Sequence, residues 1–261
     1  MNSEISSNLK KMLCKVPEVT LFFWIIKILA TTIGETAADY LNTNLNLGLT
    51  GTSLVMGALL VAVLIVQFSL KKYVPVVYWI AIVLISVVGT LITDNLTDNF
   101  HVSLLTCTIG FAVALMATFA AWYASEKTLS IHSIYTTQRE AFYWLAVLFT
   151  FALGTAAGDL FAEGLDIGYW KSGLIFAGVI ALIALAHFYF KLDAILSFWI
   201  IYILTRPLGA SIGDFLSQDK DAGGLALGTM TTSAIFLVAI VAVIAYLTVT
   251  HRDQIELLEP A

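Results

Sequence analysis

Eight stretches of this 261-residue chain, approximately 19–40, 48–70, 74–97, 103–124, 141–162, 169–190, 194–216 and 226–249, are continuously apolar. Each has about the 20 residues that a helix rising 1.5 Å per residue needs to cross a hydrocarbon core of roughly 30 Å. Inside lipid every backbone polar group must be satisfied within the structure, which leaves helices or a closed barrel. Barrel strands would read as about ten residues of apolar and polar alternation, whereas these runs are unbroken Leu, Ile, Ala and Val punctuated by Gly. The chain is 59% hydrophobic and 12% charged, with a mean hydropathy of +0.91, outside the soluble range. The expectation is an all-α integral membrane protein with eight transmembrane helices.

Cationic residues orient it. Lys10, Lys11, Lys15, Lys71, Lys72, Lys127, Arg139, Lys191 and Arg252 fall in connections on one side, and only Lys171 and Lys220 on the other. The excess of positive charge on the inner side predicts that both termini are cytoplasmic. The chain then divides into a cytoplasmic N-terminal segment (1–16), a four-helix half (17–124), a cytoplasmic linker (125–140), a second half (141–250) and a cytoplasmic tail (251–261). The linker reads as a plain polar loop in preference to an amphipathic interfacial segment. No cleavable signal peptide is expected, because the first sixteen residues are polar and the following apolar run is too long. A net charge of −5 argues against a nucleic-acid partner. Cys14 and Cys107 would lie at different depths, as free thiols.

Internal symmetry is the second strong signal. Trp24, Trp79, Trp144 and Trp199 are each followed ten residues later by Gly34, Gly89, Gly154 and Gly209. Five further on stand Asp39, Asp94, Asp159 and Asp214. The pattern W-x9-G-x4-D thus occurs four times, with an aromatic before each tryptophan: Phe23, Tyr78, Tyr143 and Phe198. Each unit holds two helices, so the chain returns to its starting side and the four repeats are parallel. Four tandem two-helix units of this kind resemble a bacterial membrane-protein family defined by a repeat of unknown function, DUF347. The resemblance covers residues 17–249 and implies an inner-membrane location and the four-repeat architecture, with no activity attached.

The repeated residues suggest roles. The tryptophans, near the cytoplasmic ends of the odd helices, suit interface anchors whose N–H stays among headgroups. The glycines and the small residue four positions on ("GETAA", "GTLIT", "GTAAG", "GASIG") form faces for close helix approach. The odd helices should therefore meet at a common centre, with the even helices outside. The four aspartates, about 22 Å beyond the tryptophans, are costly against lipid. Two roles are open to them: hydrogen bonding that fixes helix packing, or convergence on the axis as a cation site or proton relay. Hydroxyls opening three even helices, "TGTS" (50–53), "TCT" (106–108) and "TMTTS" (229–233), would add neutral oxygens at that depth, and Lys171 could pair with Asp159. Oxygen donors suit a hard cation such as Mg²⁺ or Mn²⁺. The four histidines have no ligand spacing.

Three charges break the symmetry. Glu35 stands where the other repeats have Thr90, Thr155 and Ala210, Lys27 follows Trp24 by three, and Arg206 precedes Pro207 near mid-membrane. Lys27 can snorkel to the cytoplasmic side, and Arg206 suits a counter-ion to Glu35 or an aspartate. The substrate and cation residues are thus Asp39, Asp94, Asp159, Asp214, Glu35 and Arg206, with the four aspartates as metal ligands. The sequence holds no phosphate-binding G-x4-G-K-[ST], no H-E-x-x-H and no nucleophile-base set. The expected function is secondary, ion-gradient-driven transport or export of a small cation, a divalent metal foremost, without catalysis and with no cofactor beyond a bound cation. Membrane lipid, protons and that solute are the partners. The alternative is a non-transporting scaffold or regulatory protein whose aspartates serve packing.

Overall fold

The computed structural model describes residues 14–44, 47–250 and 252–253. Lys10, Lys11 and most of the N-terminal segment and tail lie outside the described residues. Among the described residues there is no strand, and eight helices are long and apolar enough to cross a membrane. They are α1 (Leu21–Asn44), α2 (Gly48–Ser69), α3 (Pro75–Asp94), α4 (Leu104–Glu126), α5 (Thr137–Asp159), α6 (Tyr169–Phe190), α7 (Ala194–Ser217) and α8 (Thr229–Thr250). Local chemistry sets their starts. Hydroxyl or carboxylate oxygens of Ser103, Thr136 and Asp193 accept from the N–H groups of Thr106, Arg139 and Leu196 at 3.2, 3.3 and 2.9 Å, and α3 opens on Pro75. All four inner helices run past their aspartate: α1 and α7 as α-helix, to Asn44 and Ser217, and α3 and α5 through single π turns, Asn95–Asn99 and Leu160–Gly164.

The odd helices form the centre. α1 packs on α3, α3 on α5, α5 on α7, and α7 back on α1, which closes a ring of four. Of each inner span 56–61% is buried inside the protein, against 6–17% of each outer one. Each outer helix leans chiefly on the inner helix of the next repeat: α2 on α3, α4 on α5, α6 on α7, and α8 on α1. The last repeat therefore covers the first, and the described segments before α1 and after α8 meet at one face of the bundle, where Glu18 N–H donates to the Asp253 carbonyl at 3.1 Å.

The glycines show how the ring closes. A Cβ added at Gly34 would fall on Ser86, at Gly89 on Phe151, at Gly154 on Arg206, and at Gly209 on Thr31. Ser86, Phe151, Arg206 and Thr31 occupy one register position, seven residues past each tryptophan. Every repeat thus presents a glycine notch that its neighbour fills, four times around the axis.

The tryptophans depart from the expected interface position. Trp79, Trp144 and Trp199 are buried and Trp24 is half-buried, because the aromatic doublets pack on each other around the ring. Phe23 meets Trp79 at 5.6 Å between ring centres, Tyr78 meets Trp144 at 5.5 Å, Tyr143 meets Trp199 at 6.3 Å, and Phe198 meets Trp24 at 5.6 Å. A closed ring of stacked surfaces outweighs what a headgroup position offers an indole. At its middle the Tyr78 and Tyr143 hydroxyls share a hydrogen bond of 2.5 Å.

Below this aromatic layer the end bearing the termini is sealed by chain the sequence suggested was plain loop. Leu129, Ile131 and Ile134 of the 125–140 linker offer carbonyls to Trp199 Nε1 (2.9 Å), Cys14 Sγ (3.5 Å) and Lys15 N–H (2.9 Å). Lys15 Nζ donates to Glu140 at 2.6 Å, and Gln67 Nε2 to the other oxygen of that carboxylate at 3.1 Å. Tyr73 donates its hydroxyl to Asp253 at 2.6 Å. Burial, and then the Asp253 carboxylate beside it, push the Tyr73 hydroxyl well up, so it stays a donor. Burial likewise pushes the Cys14 thiol up.

Candidate functional site

Above the aromatic layer the axis carries charge. Lys27 does not reach the surface: it is fully buried, its Nζ 4.0 Å from the Tyr202 ring centre and 4.3 Å from that of Phe151, with one hydrogen bond to Thr205 Oγ1 at 3.3 Å. A snorkelling path is shut by the rings that close the bundle beneath it. Next along the axis comes Arg206, also fully buried. Its Nη2 lies 2.7 Å from Glu35 Oε2 and 2.7 Å from Thr155 Oγ1, and it also bonds Thr90 Oγ1; Nη1 reaches the Thr31 carbonyl at 3.4 Å. Glu35, Thr90 and Thr155 occupy one register position in the first three repeats. In the fourth that position is Ala210, which leaves room for the arginine rising from one turn below. The symmetric scaffold thus places a single cation where three repeats converge.

One layer further toward the end opposite the termini, carboxylate oxygens of Glu35, Asp159 and Asp214 lie within 4.8 Å of one another. They come from the first, third and fourth repeats. Asp214 is buried and Asp159 half-buried, and among the described residues neither carboxylate receives a hydrogen bond. Two negative charges this close repel by about 3.5 kcal/mol or more at an effective dielectric of about 20. With all three carboxylates ionised, Arg206 would offset one of the three charges. The two negative charges left in that state are what one divalent cation or two protons would balance.

The structure corrects the expectation that all four aspartates share this site. Asp39 and Asp94 stand outside the cluster, Asp39 within 3.5 Å of Gln218 Nε2 and Asp94 half-buried at the entry to a π turn. Lys171 does not pair with Asp159, because it is exposed in the first turn of α6 and has no ion pair among the described residues. The hydroxyls of the outer helices join helices instead of lining the axis. Ser233 bonds Thr36 at 2.7 Å and Ser53 accepts from Asn95 at 2.7 Å, while Thr106 and Thr108 bond within their own helix start. Reasoning from the sequence missed Thr90 and Thr155 as partners of Arg206; their shared register with Glu35 was the available signal.

The family model described as a Repeat of Unknown Function (DUF347) matches residues 22–73, 77–128, 142–192 and 197–253, one match for each two-helix unit. No curated protein and no solved structure matches the chain.

Proposed function

This chain belongs to the DUF347 repeat family, and from that premise we propose that it is a carrier in the inner membrane of a bacterium, with cytoplasmic termini, that moves a small cation. Eight apolar helices fit a multi-pass membrane protein. A divalent metal is the foremost cargo, exchanged against protons, and no catalytic step or resident cofactor is part of the reading. The observation that carries it is the meeting of Glu35, Asp159 and Asp214 within 4.8 Å, beside a buried arginine. Oxygen donors alone suit Mg²⁺ or Mn²⁺ better than Zn²⁺ or Cu⁺. The charge count makes one divalent cation interchangeable with two protons, which is the balance that an exchanger needs. A cation entering from the end opposite the termini competes with Arg206 for Glu35. Thr90, Thr155 and the Thr31 carbonyl hold the guanidinium when Glu35 is engaged. The aromatic layer and the linker close the other end.

The test is uptake of Mn²⁺ by proteoliposomes under an imposed pH gradient. Wild-type protein should take up the metal and release protons. Asp159→Asn and Asp214→Asn should each abolish uptake while the protein still inserts and folds. Uptake at the wild-type rate in both variants would sink the reading. If in addition Asp159→Leu and Asp214→Leu lowered thermal stability, the aspartates would belong to packing, as in a scaffold protein.

A further inference from the structure

One cavity in the molecule lies apart from the carboxylates. A cavity of about 660 Å³ opens between α1, α6 and α7 and the linker, on the half of the bundle nearer the termini. Its lining changes character along its length. Thr20, Ser130, His132 and His187 stand at the mouth, at helix ends and in the linker. Trp24, Ile28, Ile180 and Ile201 line the depth, and Thr205 marks the inner end. From Ala194, at the start of α7, to Thr205 is about 16 Å at 1.5 Å per residue. That is about half of the roughly 30 Å hydrocarbon core, the depth of one leaflet.

We propose that this groove holds one acyl chain of a phospholipid, with the phosphate toward His132 and His187 and the chain running inward to Thr205. Four observations name the occupant. The groove is continuous with the surface that the outer helices present to lipid, since Leu21 and Phe188, 73% and 77% exposed, belong to its walls. Its polarity runs lengthwise, as a lipid's does. Water is a poor occupant, because a buried water needs two to four polar partners and the depth is aliphatic and aromatic. The N-terminal residues 1–13, MNSEISSNLKKML, are mostly polar and carry two adjacent lysines, a poor match to that depth.

The inner end gives the lipid a consequence. Among the described residues Thr205 accepts the one hydrogen bond of buried Lys27, its carbonyl accepts from Thr31 Oγ1 at 3.2 Å, and it directly precedes Arg206. A chain seated against Thr205 braces the turn of α7 that holds the arginine on the axis. The proposal stands independently of whether a cation is carried.

Native mass spectrometry of the full-length protein, purified in a mild detergent with added palmitoyl-oleoyl phosphatidylglycerol, tests it. Wild-type protein should retain one phospholipid. Ala184→Trp and Ile180→Trp, which fill the groove from α6, should each lose it, whereas Val238→Trp, on the exposed face of α8, should keep it. Unfolding temperatures of the variants show that each is folded, and either groove variant that folds suffices. The proposal is overturned if wild-type protein retains no lipid, if the folded groove variants retain as much as wild type, or if Val238→Trp loses it equally. A chain lacking residues 1–13 that retains more lipid than wild type would place that segment in the groove and overturn it as well.

Discussion

Arg206 and Lys27 show how differently two buried cations can be held in one bundle. The guanidinium of Arg206 meets a carboxylate, two hydroxyls and a carbonyl. Replacing Arg206 by Met strands the Glu35 carboxylate beside Asp159 and Asp214 with nothing to offset it. Removing one partner of a buried pair costs about 3–5 kcal/mol. Arg206→Met should therefore lower the unfolding temperature sharply, and adding Glu35→Gln should recover part of the loss. A double variant as unstable as the sum of the two singles would show that the pair is not coupled. Among the described residues Lys27 meets no carboxylate, only two ring faces and one hydroxyl. An amine buried with so little compensation is a cost to the fold whether it is charged or neutral. Met has nearly its length, so Lys27→Met should raise stability by about 1 kcal/mol or more, read as a higher unfolding temperature in detergent. A lower one would mean that the amine contributes more than its visible contacts.

At the scale of helices, stability depends on which glycines face the ring. Gly209 approaches Thr31 so closely that an added methyl must push α1 and α7 apart, and Gly34 stands in the same relation to Ser86. Overpacking of this kind costs about 1–3 kcal/mol. Gly57, in outer helix α2, has nothing within 4 Å of an added Cβ. Gly57→Ala should stabilise by about 0.5–1 kcal/mol through helix propensity alone, while Gly209→Ala and Gly34→Ala destabilise. Equal effects at the three sites, measured by thermal unfolding, would remove the distinction between notch and lipid-facing glycines. Much of this element-level order was legible in the sequence. Apolar length marked the helices, and the recurrence of Trp, Gly and Asp marked the repeats, because each repeat must satisfy the same neighbours. The small-residue faces placed the odd helices inside. What fills each notch was not legible, since Ser86, Phe151, Arg206 and Thr31 share a register position but no chemistry. The tryptophans misled for a related reason: an indole suits a headgroup layer and an aromatic stack equally well, and only the neighbouring repeat decides. Among the charges, Glu35 and Arg206 stood out as departures from symmetry. Which aspartates join them depends on contacts across the ring, and no register can report those.

The molecule as a whole is a closed ring of four repeats made from an open chain. Outer helix α8 covers α1 as α2 covers α3, so the chain ends interrupt the ring at a position equivalent to the short turn between α2 and α3. At that break Glu18 and Asp253 are already joined by a backbone hydrogen bond of 3.1 Å, and Tyr73 of the equivalent turn bonds Asp253 directly. If contacts between repeats set stability, the location of the break matters little. A permuted chain with Ala261 joined to Met1 and opened between Lys71 and Lys72, both exposed, keeps every inner helix, every glycine notch and the Glu35–Arg206 pair. It also keeps its basic connections at the same end of the bundle, so the charge bias that orients insertion is unchanged. The permutant, beginning with the second repeat and ending with the first, should insert and unfold within a few degrees of the original chain. A chain stopped after Leu192 instead removes the fourth repeat, opens the ring between α1 and α5, and leaves Glu35 without its arginine, so it should fail to accumulate. Failure of the permutant in membranes where the original chain accumulates would mean that the order in which repeats enter the bilayer matters as much as the contacts they finally make. Accumulation of the truncated chain at wild-type stability would mean that ring closure adds little to the fold.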